Sequence, residues 1–154
     1  SSTGAVDIEA IIVTYFQDWN LVGLPVNVEN SLGIMLFPES IEGTLYSFNG
    51  GYNLETSLIQ GEGYWLRFPN AGNITIFGSP INEITIGLTQ GWNLISSISS
   101  SLPYSHIQDP EGLIISGTIY SFTPNGYSNV EILEPGKGYW IRANGPGSIV
   151  LLSD

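Results

Sequence analysis

Short runs in which apolar and polar residues alternate extend along most of the chain, and glycine, proline and asparagine separate them. In the clearest run, at residues 83–89, Ile84, Ile86 and Leu88 alternate with polar or small residues. A period of two is typical of a strand with one buried face. Residues 7–16 form a similar run that is apolar on both faces. Counted by their turn signals, these runs predict about ten to twelve strands.

Helical signals are few. Residues 31–37 predict one or two helical turns with Ser31 or Asn30 as the N-cap, and residues 105–108 predict a shorter counterpart. We therefore expect an all-β fold with at most one or two very short helices.

The strands belong to a unit of roughly 75 residues that occurs twice. The stretch G-E-G-Y-W-L-R at 61–67 returns as G-K-G-Y-W-I-R at 136–142, an offset of 75 residues. Further pairs keep nearly the same register, at offsets of 73 to 75: Trp19-Asn20-Leu21 with Trp92-Asn93-Leu94, residues 43–48 with 117–122, and Gly51-Tyr52 with Gly126-Tyr127. Such a register indicates one structural unit used twice.

Two similar halves with one apolar face each are expected to bury these faces against each other. The prediction is a β-sandwich or flattened barrel, built from two tandem pseudo-symmetric repeats that form one compact unit. Residues 1–16 are an N-terminal strand available for donation to a neighbouring subunit. Residues 17–79 form repeat 1, and residues 80–154 form repeat 2.

One combination of motifs resembles a known module. G-W-N-L-I-S, then Tyr-Ser-Phe before a Gly-Tyr turn, then P-G-K-G-Y-W-I-R is similar to a repeat module of secreted bacterial cell-surface proteins. The resemblance covers both halves and implies a β-rich accessory domain of extracellular chains, without a general activity. Repeat 1 departs from it, with Asp18 in place of Gly and Glu62 in place of Lys.

Charge narrows the classes of partner. Fourteen acidic residues against three basic ones give a net charge of −11. Nucleic acid is not an expected partner, since phosphate binding needs clustered Lys and Arg. No apolar run approaches the roughly 20 residues that span a bilayer. A chain that begins at Ser1 without Met or a basic-apolar leader is expected of a secreted protein whose signal was removed, and a trimmed chain looks the same. The expected location is extracellular or at the cell surface.

Catalytic and metal chemistry find little support. The chain has no Cys and one His, His106, with no nucleophile elbow around it. A Ca²⁺ site that uses Asp109, Glu111 or backbone oxygens is open to the chain, but no spaced acidic loop of the EF-hand kind is present. The remaining carboxylates are scattered. We expect neither an enzyme nor a bound cofactor, and we expect no metal site.

The residues of the repeated motif are expected to be structural: Trp19, Tyr64, Trp65, Arg67, Trp92, Tyr139, Trp140 and Arg142. The four Trp rings are expected to fill the core between strands. Each Arg is expected to hold a carboxylate or strand-end carbonyls, and Lys137 is expected to be exposed. The alternative for the aromatic residues is stacking on sugars, for which Tyr52 and Tyr127, beside loop glycines, are better placed.

Comparison of the two repeats gives the strongest functional indication. The terminal strands have apolar residues on their outward faces, where the equivalent inner strands are polar. An exposed strand with two apolar faces is a liability unless something covers it. The prediction is a structural protein that assembles head to tail with copies of itself into a filament or surface layer. The predicted interface consists of Ala10, Ile12, Thr14, Phe16, Val150 and Leu152.

Two alternatives stay open. If the N-terminal strand passes between the halves of its own chain, both of its faces are buried without a partner. The function would then be that of a monomeric adhesion or carbohydrate-binding module with a glycan on its loop aromatics, and an enzyme comes third.

Overall fold

The computed structural model describes residues 7–153 and is an all-β sandwich, as predicted. Fifteen strands and one short α-helix lie in this range, so the count exceeds the predicted ten to twelve because three strands have only two residues. Within the same range the sheets do not close into a barrel. The strands of repeat 1 and its helix are β1 (Glu9–Tyr15), β2 (Asp18–Gly23), β3 (Val26–Asn27), α1 (Gly33–Leu36), β4 (Tyr46–Phe48), β5 (Tyr52–Leu54), β6 (Gly63–Phe68) and β7 (Gly72–Pro80).

Repeat 2 follows the same order with one additional short strand. Its strands are β8 (Glu83–Leu88), β9 (Gly91–Ser96), β10 (Leu102–Pro103), β11 (Tyr120–Thr123), β12 (Gly126–Asn129), β13 (Ile132–Leu133), β14 (Gly138–Ala143) and β15 (Gly147–Leu152). A 3₁₀ turn at Tyr104–His106 takes the place of α1.

Each repeat is by itself a two-layer sandwich of antiparallel strands, so the main apolar faces are buried within each repeat and not, as expected from the sequence, against the other repeat. In repeat 1 the sheet β2-β6-β4-β5 covers the smaller sheet β1-β7-β3. Val13 and Tyr15 of β1 pack with Tyr64 and Leu66 of β6 in one buried cluster. Repeat 2 has the equivalent four-stranded sheet β9-β14-β11-β12 over the pair β8-β15, with its own buried cluster.

A third cluster joins the two repeats. Its buried members are Leu21, Leu94 and Trp140, and Phe48, Trp65, Tyr120 and Phe122 pack against it. All seven belong to the four-stranded sheets, so these sheets meet through a layer that is mostly aromatic. The strand pairs that contact each other across this junction include β6 with β9 and β2 with β14.

The tight turn before each repeated Trp needs a left-handed backbone. Gly91 has φ 96°, and its counterpart Asp18 has φ 80°, the one positive φ among the non-glycine residues described. The Asn after each Trp locks this turn. Asn20 accepts from the backbone N–H of Phe16 and donates to its carbonyl, both at 2.8 Å, and Asn93 does the same with Thr89. The repeated W-N-L motif therefore stabilises the tight turn that precedes the Trp.

The helix prediction needs one correction. Helix α1 is a single turn, as predicted, but its N-cap is Leu32 rather than Ser31 or Asn30. The Asn30 side chain instead accepts a hydrogen bond from the Leu32 N–H at 3.1 Å.

Candidate functional site

The glycine turn of each repeat inserts into the other repeat. Gly61 lies against β8, where an added Cβ would be 2.9 Å from Ile84, and Gly136 lies against β1, where it would be 2.5 Å from Val13. Both glycines have positive φ, 85° and 81°. Each turn also accepts a backbone hydrogen bond across the junction: Ser96 N–H donates to Gly61 O at 2.9 Å, and Gly23 N–H donates to Gly136 O at 3.1 Å. The G-x-G stretch occurs in both repeats because each copy forms the surface that packs against the other repeat.

The backbones are closest near the pseudo-two-fold axis. Val22 bridges Lys137, and the equivalent residues Ile95 and Glu62 form the matching bridge. A Cβ on Gly23 would lie 2.1 Å from the Cβ of Ser96, the residue 73 positions later. Gly23 and Ser96 are thus equivalent positions that meet each other, and space exists for one side chain there.

Lys137 and Glu62 occupy equivalent places between the paired glycines but have different surroundings. The Lys137 ammonium donates to the carbonyl of Thr14 in β1, so this side chain is half-buried rather than exposed as predicted. Burial lowers the pKa of the Lys137 amine. Burial also raises the pKa of the Glu62 carboxyl, and the nearby Glu55 raises it further.

Replacing Glu62 with glutamine is expected to raise the melting temperature more at pH 7 than at pH 4. A carboxyl with a raised folded-state pKa binds its proton more tightly in the folded than in the unfolded protein. The folded state therefore loses stability as the pH rises from the ordinary value of 4.5 through the raised pKa. Thermal denaturation of both proteins at the two pH values measures the effect, with Glu83→Gln on β8 as control. An equal shift at both pH values would contradict it.

Two aromatic pockets open beside the junction. The first has a volume of about 460 Å³, and its walls are Phe48, Tyr52, Trp92, Tyr120, Tyr127 and Trp140. The second has a volume of about 480 Å³, and its walls are Trp19, Tyr46, Tyr52, Trp65 and Phe122. Each pocket is built mainly on one repeat and receives a Phe from the other, and the first pocket also receives Tyr52 from repeat 1. The pockets share Tyr52, so they form one continuous aromatic surface.

The ring geometry repeats with the sequence. Trp19 and Trp65 have ring centroids 6.3 Å apart with an interplanar angle of 86°, and Trp92 and Trp140 have 6.4 Å and 86°. The contacts across the junction also match: Trp65 to Phe122 and Phe48 to Trp140 both measure 4.9 Å. Edge-to-face packing of this kind stabilises aromatic pairs beyond the area they bury.

The placement of the tryptophans corrects the prediction that they fill the core between strands. Trp140 is buried, with 8% of its surface exposed, but it lies in the junction layer. Trp19 and Trp65 are half-buried, and Trp92 is 41% exposed. Each repeat's own core uses the preceding tyrosine instead. The Tyr64 hydroxyl accepts from the Ile59 N–H and the Tyr139 hydroxyl from the Glu134 N–H, both at 2.8 Å.

Tyr52 and Tyr127, which lie on β5 and β12 and not in loops, are accessible to a ligand. Tyr52 is 57% exposed and Tyr127 is 54% exposed, and both line the pockets. Burial raises the pKa of the Tyr127 hydroxyl, and the proximity of Tyr52 adds to this effect. The Trp140 indole N–H approaches the Tyr127 hydroxyl without reaching hydrogen-bond geometry. The sequence analysis predicts no function for four further residues of the pocket walls: Tyr46, Phe48, Tyr120 and Phe122. Their alternation with Ser47 and Ser121 nevertheless indicates one aromatic face.

The two equivalent arginines differ in their partners. Arg67 Nε lies 2.6 Å from Asp18 Oδ1, which is the carboxylate contact expected of it, although both side chains are about half exposed. An exposed pair of this kind contributes little to stability. In repeat 2, Gly91 occupies the position that corresponds to Asp18, so Arg142 cannot form the equivalent ion pair.

Repeat 1 has an uncharged, mostly apolar outer face on β1 and β7. This outer face of repeat 1 consists of the outward residues of β1 and its flanks, Ile8, Ala10, Ile12, Thr14 and Phe16, and of Asn73, Thr75 and Phe77 on β7. Ile8 is 65% exposed, Ile12 66% and Phe77 64%. Ala10 pairs directly with Phe77 in the antiparallel register. Since Ile12 is exposed, β1 does not pass between the two halves of its own chain, and that alternative is wrong.

The equivalent face of repeat 2 is mixed. Glu83 pairs with Leu152 and Thr85 with Val150 on β8 and β15. Leu152 is 37% exposed and Val150 is half-buried. Val150 also exchanges two backbone hydrogen bonds with Gln108, at 2.8 and 3.0 Å, which covers this edge of β15. Of the predicted interface residues, those of β1 are exposed and those of β15 are partly covered.

Residues 7–153 contain no candidate metal centre. No group of three or more His, Cys, Asp or Glu side chains there could hold a metal ion. The Asp109 carboxylate closes its own loop instead, by accepting from the N–H groups of Leu113 at 2.8 Å and Ile114 at 2.9 Å. His106 ends the 3₁₀ turn. In the part of the chain described, no helix has the length and apolar character needed to cross a membrane.

Comparison with protein-family models, curated proteins and solved structures finds no match to this chain.

Proposed function

We propose that the protein is a structural subunit that assembles outside the cell, head to tail with copies of itself, through the outer faces of its terminal strands. The observation that carries the proposal is the outer face of repeat 1. Three of its apolar side chains are about two-thirds exposed, and none of its residues is charged. The equivalent strand of repeat 2 has Glu83, Thr85 and Gly87 at these positions.

The difference between the repeats supports an intermolecular contact. Two units with the same internal packing need the same inward residues, so selection on folding alone does not explain apolar residues on one outward face. Strand β1 is also at the edge of its sheet, where the order is β1-β7-β3. A long apolar edge strand is a site where another chain adds.

The second contact surface is the Val150 and Leu152 side of β15. It belongs to the sheet β8-β15 of the other repeat, whereas β1 belongs to the sheet of repeat 1. A contact between two different surfaces is heterologous, and it propagates into a filament unless the rotation closes. Two contacts within one chain hold β1: Lys137 donates to Thr14, and Val13 packs on Gly136. They support an assembly in which β1 stays in its own sheet and is not donated to a neighbouring subunit.

The test uses two variants that each remove one surface. We expect wild-type protein to form concentration-dependent assemblies, visible by sedimentation velocity and electron microscopy. Ile12→Lys and Leu152→Lys should each abolish them. An equimolar mixture of the two variants should form a dimer that cannot extend, because each partner keeps one intact surface.

The control is Met35→Lys, which places the same charge on an exposed apolar residue of α1, outside both contact surfaces. It should assemble like wild type, and circular dichroism should show all variants folded. Monodisperse wild-type protein at every concentration would reject self-assembly. Normal assembly of Leu152→Lys would reject its head-to-tail form.

A further inference from the structure

The walls of the two pockets consist of aromatic rings from both repeats. In each pocket a Trp, a Tyr and a second Trp from one repeat stand at steep angles, and a Phe from the other repeat faces them. The interplanar angle is 54° for Trp92 and Tyr120 and 78° for Phe48 and Trp140. Rings at such angles present several π faces to one volume, whereas parallel rings would present a flat platform.

We propose that these pockets are cages for quaternary ammonium groups, such as the trimethylammonium head of choline. A cation within about 6 Å of an aromatic centroid is attracted by the negative face of the ring, and Trp is the best partner. A quaternary ammonium carries no N–H, so it needs no hydrogen-bond acceptor when it leaves water. The all-aromatic lining supplies attraction without such acceptors.

The same lining disfavours a sugar. A sugar ring brings several hydroxyl groups, and each hydroxyl that enters an apolar site without a partner costs free energy. The polar side-chain atoms of the lining residues are the hydroxyls of Tyr46, Tyr52, Tyr120 and Tyr127 and the indole N–H groups. The Trp140 N–H is buried and faces the Tyr127 hydroxyl. Neither lining contains a carboxylate, amide or basic side chain, which are the groups that make paired hydrogen bonds to the hydroxyls of a saccharide.

The charge of the protein has the sign that the proposal requires. The net charge is −11, and none of the three basic residues lines either pocket. A negative field raises the local concentration of cations and disfavours anions. The shared Tyr52 makes the two cages neighbours, so one protein should take two ammonium groups.

The experiment is a titration of the purified protein with choline, followed by Trp fluorescence and calorimetry. The neutral isostere 3,3-dimethylbutan-1-ol has the same shape without the charge and is titrated in parallel. We expect saturable binding of choline to two sites, about tenfold or more tighter than the isostere, and weaker at high salt. Vesicles of phosphatidylcholine, compared with phosphatidylglycerol, distinguish a lipid headgroup from a free ligand as the source.

Exposed residues provide the variants. Trp92→Ala should remove one of the two sites, and Tyr52→Ala should weaken both by about tenfold. Tyr104→Ala, which changes an exposed tyrosine outside both pockets, should bind like wild type. Equal affinity for choline and its isostere, no binding of choline, or binding of a cello-oligosaccharide in its place would each overturn the proposal. None of these outcomes depends on self-assembly, which the Ile12 and Leu152 variants test separately.

Discussion

Alanine at Gly23 is expected to destabilise the protein by about 2–3 kcal/mol, because the new methyl group has no space at the junction. Its Cβ would lie 2.1 Å from the Cβ of Ser96 and 2.8 Å from the Ser96 hydroxyl. Both atoms belong to β9, whose backbone cannot retreat without moving the other repeat. Denaturant unfolding measures the loss.

Gly87→Ala is the matched control. Gly87 is also a strand glycine, but an added Cβ there meets nothing within 4 Å, so no loss of stability is expected. Ser96→Gly in the Gly23→Ala background should recover most of the stability, since it returns the space to the other side of the axis. Equal effects of Gly23→Ala and Gly87→Ala would show that the repeats are not in this close contact.

Removal of the Trp140 side chain is expected to cost about 3–5 kcal/mol, the range for a large buried aromatic residue. Trp140 is 8% exposed and contacts Phe48 of repeat 1 and Trp92 of its own repeat. Its loss would leave a cavity in the layer that holds the repeats together. The free energy of unfolding of Trp140→Ala, measured by denaturant titration, tests this.

Trp92→Ala provides the comparison, because it removes the same side chain from a ring that is 41% exposed. Its loss should be no more than about 1–2 kcal/mol. A loss for Trp92→Ala as large as that for Trp140→Ala would contradict the assignment of Trp140 to the junction and Trp92 to the pocket wall.

The architecture of each repeat could be predicted from sequence because its determinants are local. The alternation at 83–89 and the turn residues specify strands, and the offsets of 73 to 75 specify two copies of one unit. Even the substitution of Asp18 for glycine fits this pattern, because Asp tolerates the left-handed backbone better than most residues. These features depend on neighbours in the chain.

The position of the tryptophans could not be predicted in the same way. In β6, Tyr64 and Leu66 point into the core of repeat 1, so Trp65 points to the opposite face. A strand that is apolar on both faces is buried on both sides, and this was the available signal for a junction layer. Local sequence does not distinguish burial of the second apolar face against the other repeat from burial against another molecule.

The terminal strands show the same limit. The apolar outward face of residues 8–16 is visible in the sequence, but the sequence pattern does not place Phe77 on it. Phe77 belongs to β7, in the middle of the chain, and its pairing with Ala10 spans 67 residues. Long-range register of this kind depends on which strands pair, and local alternation does not contain that information.

The meeting of Gly23 with Ser96 has a consequence for how such a protein can arise. In a homodimer of one repeat, the residue on the two-fold axis meets its own copy, so any side chain there appears twice in a space that holds one. Glycine would be imposed on both copies. Once both repeats share a chain, one position can stay glycine while the other gains a hydroxymethyl group that fills the gap. In a fused chain, equivalent positions near the axis no longer have to carry the same residue. The same freedom allows the pairs Glu62 and Lys137, and Asp18 and Gly91, to differ.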